Sequence, residues 1–84
     1  MTELSLLLFV AGKEDPKSIK AVENIDRICK DHKFNLTILD LVENPQIAKS
    51  LKIIATPLLI KSFPKPWVRI IGDLSNLEIN SLMK

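Results

Sequence analysis

Apolar positions fall along the chain in short groups whose spacing changes from one group to the next. Leu4-Ser5-Leu6-Leu7-Leu8-Phe9-Val10 is almost continuously apolar, the pattern of a central strand covered on both faces. Gly12 ends it. Asp15 followed by Pro16 supplies an N-cap with proline at the first helical position. Ile19, Val22, Ile25, Ile28 and Cys29 then recur at steps of three and four, the buried stripe of a helix of about four turns. Phe34, Leu36 and Ile38 alternate with Asn35 and Thr37, which predicts a second strand with one face partly open, closed by Asp40. Asn44-Pro45 repeats the cap-plus-proline signal, and Ile47 and Leu51 lie four apart on a short helix.

Thr56-Pro57 opens a third strand, Leu58 to Ser62, and Pro64 and Pro66 break the chain before a fourth, Trp67 to Ile71. The short proline-rich link favours an antiparallel hairpin. Ser75 and Glu78 form a capping box with Leu74 and Ile79 as its hydrophobic staple, so a final helix is expected from Ser75 or Asn76 to the terminus. The order is βαβαββα. Two right-handed crossovers followed by a hairpin predict an α/β, thioredoxin-like three-layer sandwich with a mixed four-stranded sheet. In that fold the loop Ile53-Ile54-Ala55-Thr56-Pro57 stands where the active-site proline belongs. The 84 residues are read as one domain, 1–84, without repeats, low-complexity segments or an internal linker. A chain this short buries only about 60 to 65% of its unfolded surface, yet 46% hydrophobic residues suffice for one core.

Redox chemistry in such a frame needs a cysteine pair where the first strand meets the first helix, because the helix N-terminus lowers the thiol pKa. That segment reads Ala11-Gly12-Lys13-Glu14-Asp15-Pro16-Lys17-Ser18 and carries no thiol. The one cysteine, Cys29, lies on the helical stripe and reads as a small core residue. With a single cysteine and a single histidine, His32, neither an intrachain disulfide nor a Cys/His metal site is expected, and the reducing cytoplasm is the simplest compartment. Ser18 as a glutathione-transfer residue has a simpler reading as helix-turn chemistry. Glu14 and Asp15 sit at a helix start, where negative charge suits the dipole, and His32 reads as a helix C-terminal cap. Only two glycines, Gly12 and Gly72, are present, so phosphate-loop and dinucleotide motifs are absent. No catalytic residue, cofactor or metal is expected; the frame points to a domain that works by binding.

No apolar run reaches the roughly 18 to 20 residues that cross a bilayer. The run Leu4 to Ala11 has no preceding basic region and reads as structure, not as a signal peptide. Net charge is only +2, but its distribution is uneven: from Asn44 to Gly72 there is no Asp or Glu, while Lys49, Lys52, Lys61, Lys65 and Arg69 all fall in that span. A one-signed region on a nearly neutral chain can steer an acidic partner toward one face. Nucleic acid is not an expected partner, since Trp67 and Phe63, the residues available for stacking, read as core-like.

Four ordered segments carry a family resemblance: Phe9-Val10-Ala11-Gly12, Asp40-Leu41-Val42-Glu43-Asn44-Pro45-Gln46, Ile54-Ala55-Thr56-Pro57 and Arg69-Ile70-Ile71-Gly72-Asp73-Leu74-Ser75-Asn76. The chain resembles the KaiB family of clock proteins from about Leu4 to Glu78, with an apparent extra residue in the loop Lys13 to Asp15. A related domain forms the N-terminal sensor of some clock histidine kinases, but the Ile-Ile-Gly-Asp-Leu-Ser stretch is more similar to KaiB itself. The resemblance implies a non-enzymatic regulator that docks on a hexameric KaiC-like ATPase and, in full clocks, engages KaiA or a sensor histidine kinase. It carries partner-contact positions onto Lys20, Asn35, Thr37, Lys52 and Arg69; the acid-free span adds Lys65. Asn35 and Thr37 depart from the family, where a lysine is common on this strand. Pro57, Gly72, Asp73 and Ser75 are the structural positions.

The resemblance also implies two folds, a tetrameric ground state with a rearranged C-terminal half and a monomeric thioredoxin-like state that binds partners. The Gly-Leu-Asp that extends the ground state has no counterpart here; Met83 and Lys84 stand where it would begin. The thioredoxin-like form is therefore expected, with fold switching weak or absent. A sensory or dimerising module of a histidine-kinase system, and a stress-related homologue without a clock, are the alternative roles. No membrane is expected as a partner, and self-association is left open.

Overall fold

The computed structural model describes residues 3–83. Its elements run β1 (Leu4–Val10), α1 (Pro16–Ile28), β2 (Phe34–Asp40), α2 (Pro45–Leu51), β3 (Leu58–Phe63), β4 (Val68–Ile71) and α3 (Ile79–Met83). The strands form one sheet in the order β2-β1-β3-β4. β1 lies parallel to β2, and β3 is antiparallel to both β1 and β4. Only the first crossover therefore joins parallel strands. The β2–α2–β3 link passes over β1 and returns the chain in the opposite direction, where two crossovers of one kind were expected.

The alternation of β1 sorts the core into two layers. Leu4, Leu6, Leu8 and Val10 point to one face, where they meet Ala21, Ile25 and Cys29 of α1, Leu59 of β3, and Leu74 and Leu82 from the C-terminal segment. Phe9 points the other way, to Leu41, Leu58 and Ile60, with Leu7, Ile47 and Ala48 packed around them. Helices thus cover both faces of a mixed sheet, the three-layer arrangement. α2 itself has no fully buried residue, so its layer rests on the strands beneath it.

Several local expectations change. The inward line of α1 is Ser18, Ala21, Ile25 and Cys29, whereas Ile19 is 49% exposed. One residue is about 100° of helix rotation, and that step carries Ile19 off the sheet-facing line toward the β2 flank. Ile38 on the marginal strand β2 and Leu51 on α2 are likewise exposed. β3 extends through Phe63, and β4 begins at Val68. Phe63 and Trp67 both project into solvent, Trp67 at 64% exposure, contrary to their core-like reading. The turn between the strands allows this, because no element packs over the hairpin.

The largest change is at the C-terminal helix, which starts at Ile79 instead of Ser75 or Asn76. The side chain of Asp73 accepts the backbone N–H of Ser75 at 3.0 Å, and Leu74 adopts a left-handed backbone, φ 67°, while burying its side chain in the core. A separate turn closed by Leu77 N–H on Leu74 O comes first, and it takes up the residues of the expected first helical turn. The expected capping box of Ser75 and Glu78 is replaced by this Asp73-centred turn. The helix still follows, and the chain beyond Ser75 is not an extended ribbon; Lys84 lies outside the described residues.

Candidate docking surface

At the β4 margin, three segments converge. Helix α2 ends on Lys52, whose backbone is left-handed at φ 55° and whose N–H, with that of Ile53, closes the last turn on Ala48 and Lys49. The loop then runs through Ile54 and Ala55 to the cis Thr56–Pro57 bond and into β3. Alternation along β4 sends Ile70 to the α1 side of the sheet and Arg69 and Ile71 to the α2 side. Lys52, Ile54, Arg69 and Ile71 accordingly line one shallow depression of about 290 Å³, floored by Leu58. Ile54 is 93% exposed and Ile71 58%. Two apolar side chains bordered by two cations match the anatomy of a protein-docking patch, with an apolar centre and a charged rim.

Lys52 is informative for its backbone. A lysine in the left-handed region costs on the order of 1 kcal/mol where glycine would fit freely, and such outliers persist where the side chain has a use. Lys52→Gly is expected to leave the melting temperature unchanged or higher, a gain of up to about 1 kcal/mol, while weakening partner capture; a thermal melt beside a pull-down checks both.

The structure brings Lys52 and Arg69 together, but it separates the other candidates. Lys65 sits at the β3–β4 hairpin between exposed Phe63 and Trp67 and does not line the depression. Asn35 and Thr37 lie on β2, at the opposite margin of the sheet, and Asn35 donates its amide to Glu3 and Ser5 within the chain. Lys20 is on α1, close enough to Asp73 for their charges to interact. Lys61, counted in the basic span, is fully buried in β3 and engaged there. Ile54 and Ile71 were not singled out from the sequence. For Ile71 the signal was present, since a residue two beyond Arg69 shares its face; Ile54, in an irregular loop, offered none.

The structural positions support this surface from behind. The Gly72 N–H donates to Pro57 O at 2.9 Å, locking the Thr-Pro loop to the end of β4, and Gly72 holds φ 116°, which a side chain would strain. The Asp73 carbonyl accepts Asn24 from α1 at 2.7 Å. The backbone N–H and then the hydroxyl of Ser75 hold the Asp73 carboxyl below its ordinary value, with Lys20 and Lys17 adding to the effect. Because the folded-state value is lowered, the ionised form favours the fold. The contribution is present at neutral pH and is lost as acid carries the solution below the ordinary aspartate value and through the lowered one. Asp73→Asn is therefore expected to flatten the acid limb of the stability–pH curve, measured by urea denaturation from neutral pH downward.

The residues weighed for thiol and glutathione-transfer chemistry are engaged in holding the fold. Ser18 is buried with its hydroxyl donated to Asp15 at 2.9 Å. Cys29 is buried in the core, and burial, then the charge of Asp26, pushes its thiol up, away from the reactive thiolate. His32 closes the end of α1 through its backbone N–H to Cys29 O. Asn44 caps α2 by position only, since its amide donates back to Asp40 O. Among the described residues no group of three or more His, Cys, Asp or Glu is placed to hold a metal, and no helix is long and apolar enough to cross a membrane.

The chain is similar to known proteins along nearly its whole length. Residues 7–84 match the family model described as the KaiB domain. It is 43% identical over 81 residues to the circadian clock protein KaiB3 of Synechocystis, covering 93% of this chain and 78% of that protein. It is 46% identical over 76 residues to the circadian clock oscillator protein KaiB of Thermosynechococcus vestitus, covering 87% and 69%. Among solved structures, the N-terminal domain of Synechococcus elongatus SasA superposes with a TM-score of 0.79 at 25% identity, covering 98% of this chain and 81% of that one. Chloroplastic thioredoxin z superposes at 0.75 with 19% identity, covering 95% and 74%, which shows the shared fold alone. The sheet order, the Thr-Pro loop locked to Gly72 and these matches lead to one assignment: the chain is a member of the KaiB family.

Proposed function

We propose that this protein is a single-domain, non-enzymatic docking regulator of the KaiB type, which binds an oligomeric KaiC-like ATPase through the Lys52–Ile54–Arg69–Ile71 surface and works in the cytoplasm. One observation carries the reading: two cations from the acid-free span converge on a depression flanked by exposed Ile54 and Ile71. An acidic surface on the partner would be steered toward the cations, and burial of the two isoleucines would then hold it. Lys65 extends the basic rim toward the hairpin, while Lys20, Asn35 and Thr37 lie elsewhere and belong to separate contacts, with KaiA or a sensor histidine kinase as the partner classes. The relatives' clock names support a role in timing.

The likeness to the SasA domain favours a second reading, a sensory module of kinase signalling. A pull-down with a KaiC-like ATPase from the same source, in both nucleotide states, separates the two. Capture in either state supports docking on the ATPase. No capture in both states, with capture by a histidine kinase, replaces it with the second reading.

A further inference from the structure

The β3–β4 hairpin carries two large aromatic side chains that the fold leaves in water. The ladder between the strands ends at the Lys61–Val68 pair, and Ser62 to Trp67 form the turn beyond it. Ser5 lies opposite Phe63, and its carbonyl accepts the Ser62 hydroxyl at 3.3 Å, which anchors the base of the turn on β1. Phe63 is 53% exposed and Trp67 64%, with Lys65 and Pro66 exposed between them. Scattered exposed apolar residues are ordinary, but two aromatic rings on one projecting turn mark a contact surface. Neither ring lines the docking depression.

The chemistry of the turn suits a lipid–water interface. Tryptophan pairs an apolar ring with a polar N–H, a combination favoured where one side is apolar and the other wet. Pro64 and Pro66 carry no backbone N–H, which reduces the polar backbone that must leave water when the turn is buried. Lys65 is the one ionisable residue from Ser62 to Val68, and its alkyl stem can lie beside the rings while the ammonium reaches the phosphates. The same end of the sheet adds charge. Leu4 lies opposite Phe34 and donates its N–H to Lys33 O, so α1 finishes at the pole that holds the hairpin, and exposed Lys30 and Lys33 stand there. Asp31 and Glu3 oppose them, and Glu3 is engaged with the Asn35 amide.

We propose that this hairpin is a membrane-surface contact, in which Phe63 and Trp67 seat in the headgroup layer of an anionic bilayer and Lys65, backed by Lys30 and Lys33, meets the lipid phosphates. The sequence pointed away from membranes because no apolar run spans a bilayer, and among the described residues no helix does so. Lying against a surface needs no such run, and the exposure of the two rings is visible only in the fold. Single-stranded nucleic acid also stacks on aromatic rings, but it asks for a groove in which cations track the backbone; here one lysine separates the rings. Two rings with few cations give weak, reversible attachment, as a single lipid chain does. The docking depression stays clear. Trp67 and Ile71 are four residues apart, about 13 Å at roughly 3.4 Å per residue, so a chain held by its hairpin presents the Lys52 and Ile54 end to solution.

Trp67 is the only tryptophan, so its emission reports on the hairpin directly. The full chain is titrated with phosphatidylglycerol vesicles, phosphatidylcholine vesicles and a single-stranded oligonucleotide, and flotation checks vesicle binding independently. Phosphatidylglycerol is expected to shift the emission to the blue and to carry the chain upward in flotation, with binding to phosphatidylcholine about tenfold weaker and the difference removed by high salt. Phe63→Ser, Trp67→Ser and Lys65→Glu are each expected to weaken flotation with phosphatidylglycerol about tenfold, with unchanged thermal melts because all three side chains are exposed. Lys13→Glu, beyond the other end of β1, is expected to float normally. No blue shift and no flotation at any attainable lipid concentration overturns the proposal, as does flotation that survives the double variant Phe63→Ser/Trp67→Ser. Equal binding to the two lipids overturns the recognition of anionic headgroups. Quenching by the oligonucleotide without vesicle binding assigns the rings to nucleic acid and overturns it as well.

Discussion

Reversing Arg69 to glutamate is expected to weaken capture by a KaiC-like ATPase at least tenfold, about 1.4 kcal/mol, and reversing Lys52 with it to abolish detectable capture. Both side chains are exposed and share one depression, so the change replaces two steering attractions by two repulsions at the same place. Most of the single-variant effect should appear in the association rate and shrink at high salt, because rim charges act at long range and are screened. The fold should not notice: Arg69 lies opposite Ile60 on the β4 margin, and the backbone ladder on either side of it survives a change of side chain. A pull-down with a parallel thermal melt is the measurement. Loss of binding together with a collapsed melting temperature would mean that Arg69 is structural and the surface misassigned. Lys13→Glu, on the far flank, should bind normally.

The second large effect is on stability. Phe9→Ala should cost about 3–5 kcal/mol. Phe9 is 1% exposed and is the largest buried side chain in the layer it shares with Leu41, Leu58 and Ile60. α2 contributes no fully buried residue to close the hole, so the cavity can collapse only by moving that helix. At about 0.05–0.15 kcal/mol per residue, a chain of this length has roughly 4–13 kcal/mol in all. The variant should therefore be partly unfolded at 37 °C, which urea titration followed by circular dichroism will show. Cys29→Ala, which removes one sulfur from the opposite layer, should cost much less.

The elements that sequence periodicity placed well are those whose apolar spacing reports packing directly. β1 reads as a doubly covered strand because it is one, and α1 begins at Asp15-Pro16 because proline fixes the first helical dihedral. The failures have a common cause, which is that local signals do not know what lies across the sheet. Ile19 and Ile38 fit their stripes but face a flank that nothing in the chain covers. The Ser75–Glu78 box is a sound local cap. It loses to a competing turn, in which Asp73 takes the Ser75 N–H and Leu77 N–H closes on Leu74 O while Leu74 is buried in the core. For the site, charge distribution pointed to Lys52 and Arg69, but it could not separate them from buried Lys61 or from Lys65 at the hairpin. It was equally blind to Ile54 and Ile71, because their value lies in being exposed.

The strand order β2-β1-β3-β4 puts the cationic depression on one margin of the sheet and Asn35 and Thr37 on the other, about 14 Å apart at roughly 4.8 Å per strand step. A partner seated on one margin leaves the other open, so two proteins can be held by one copy without competing for the same strand.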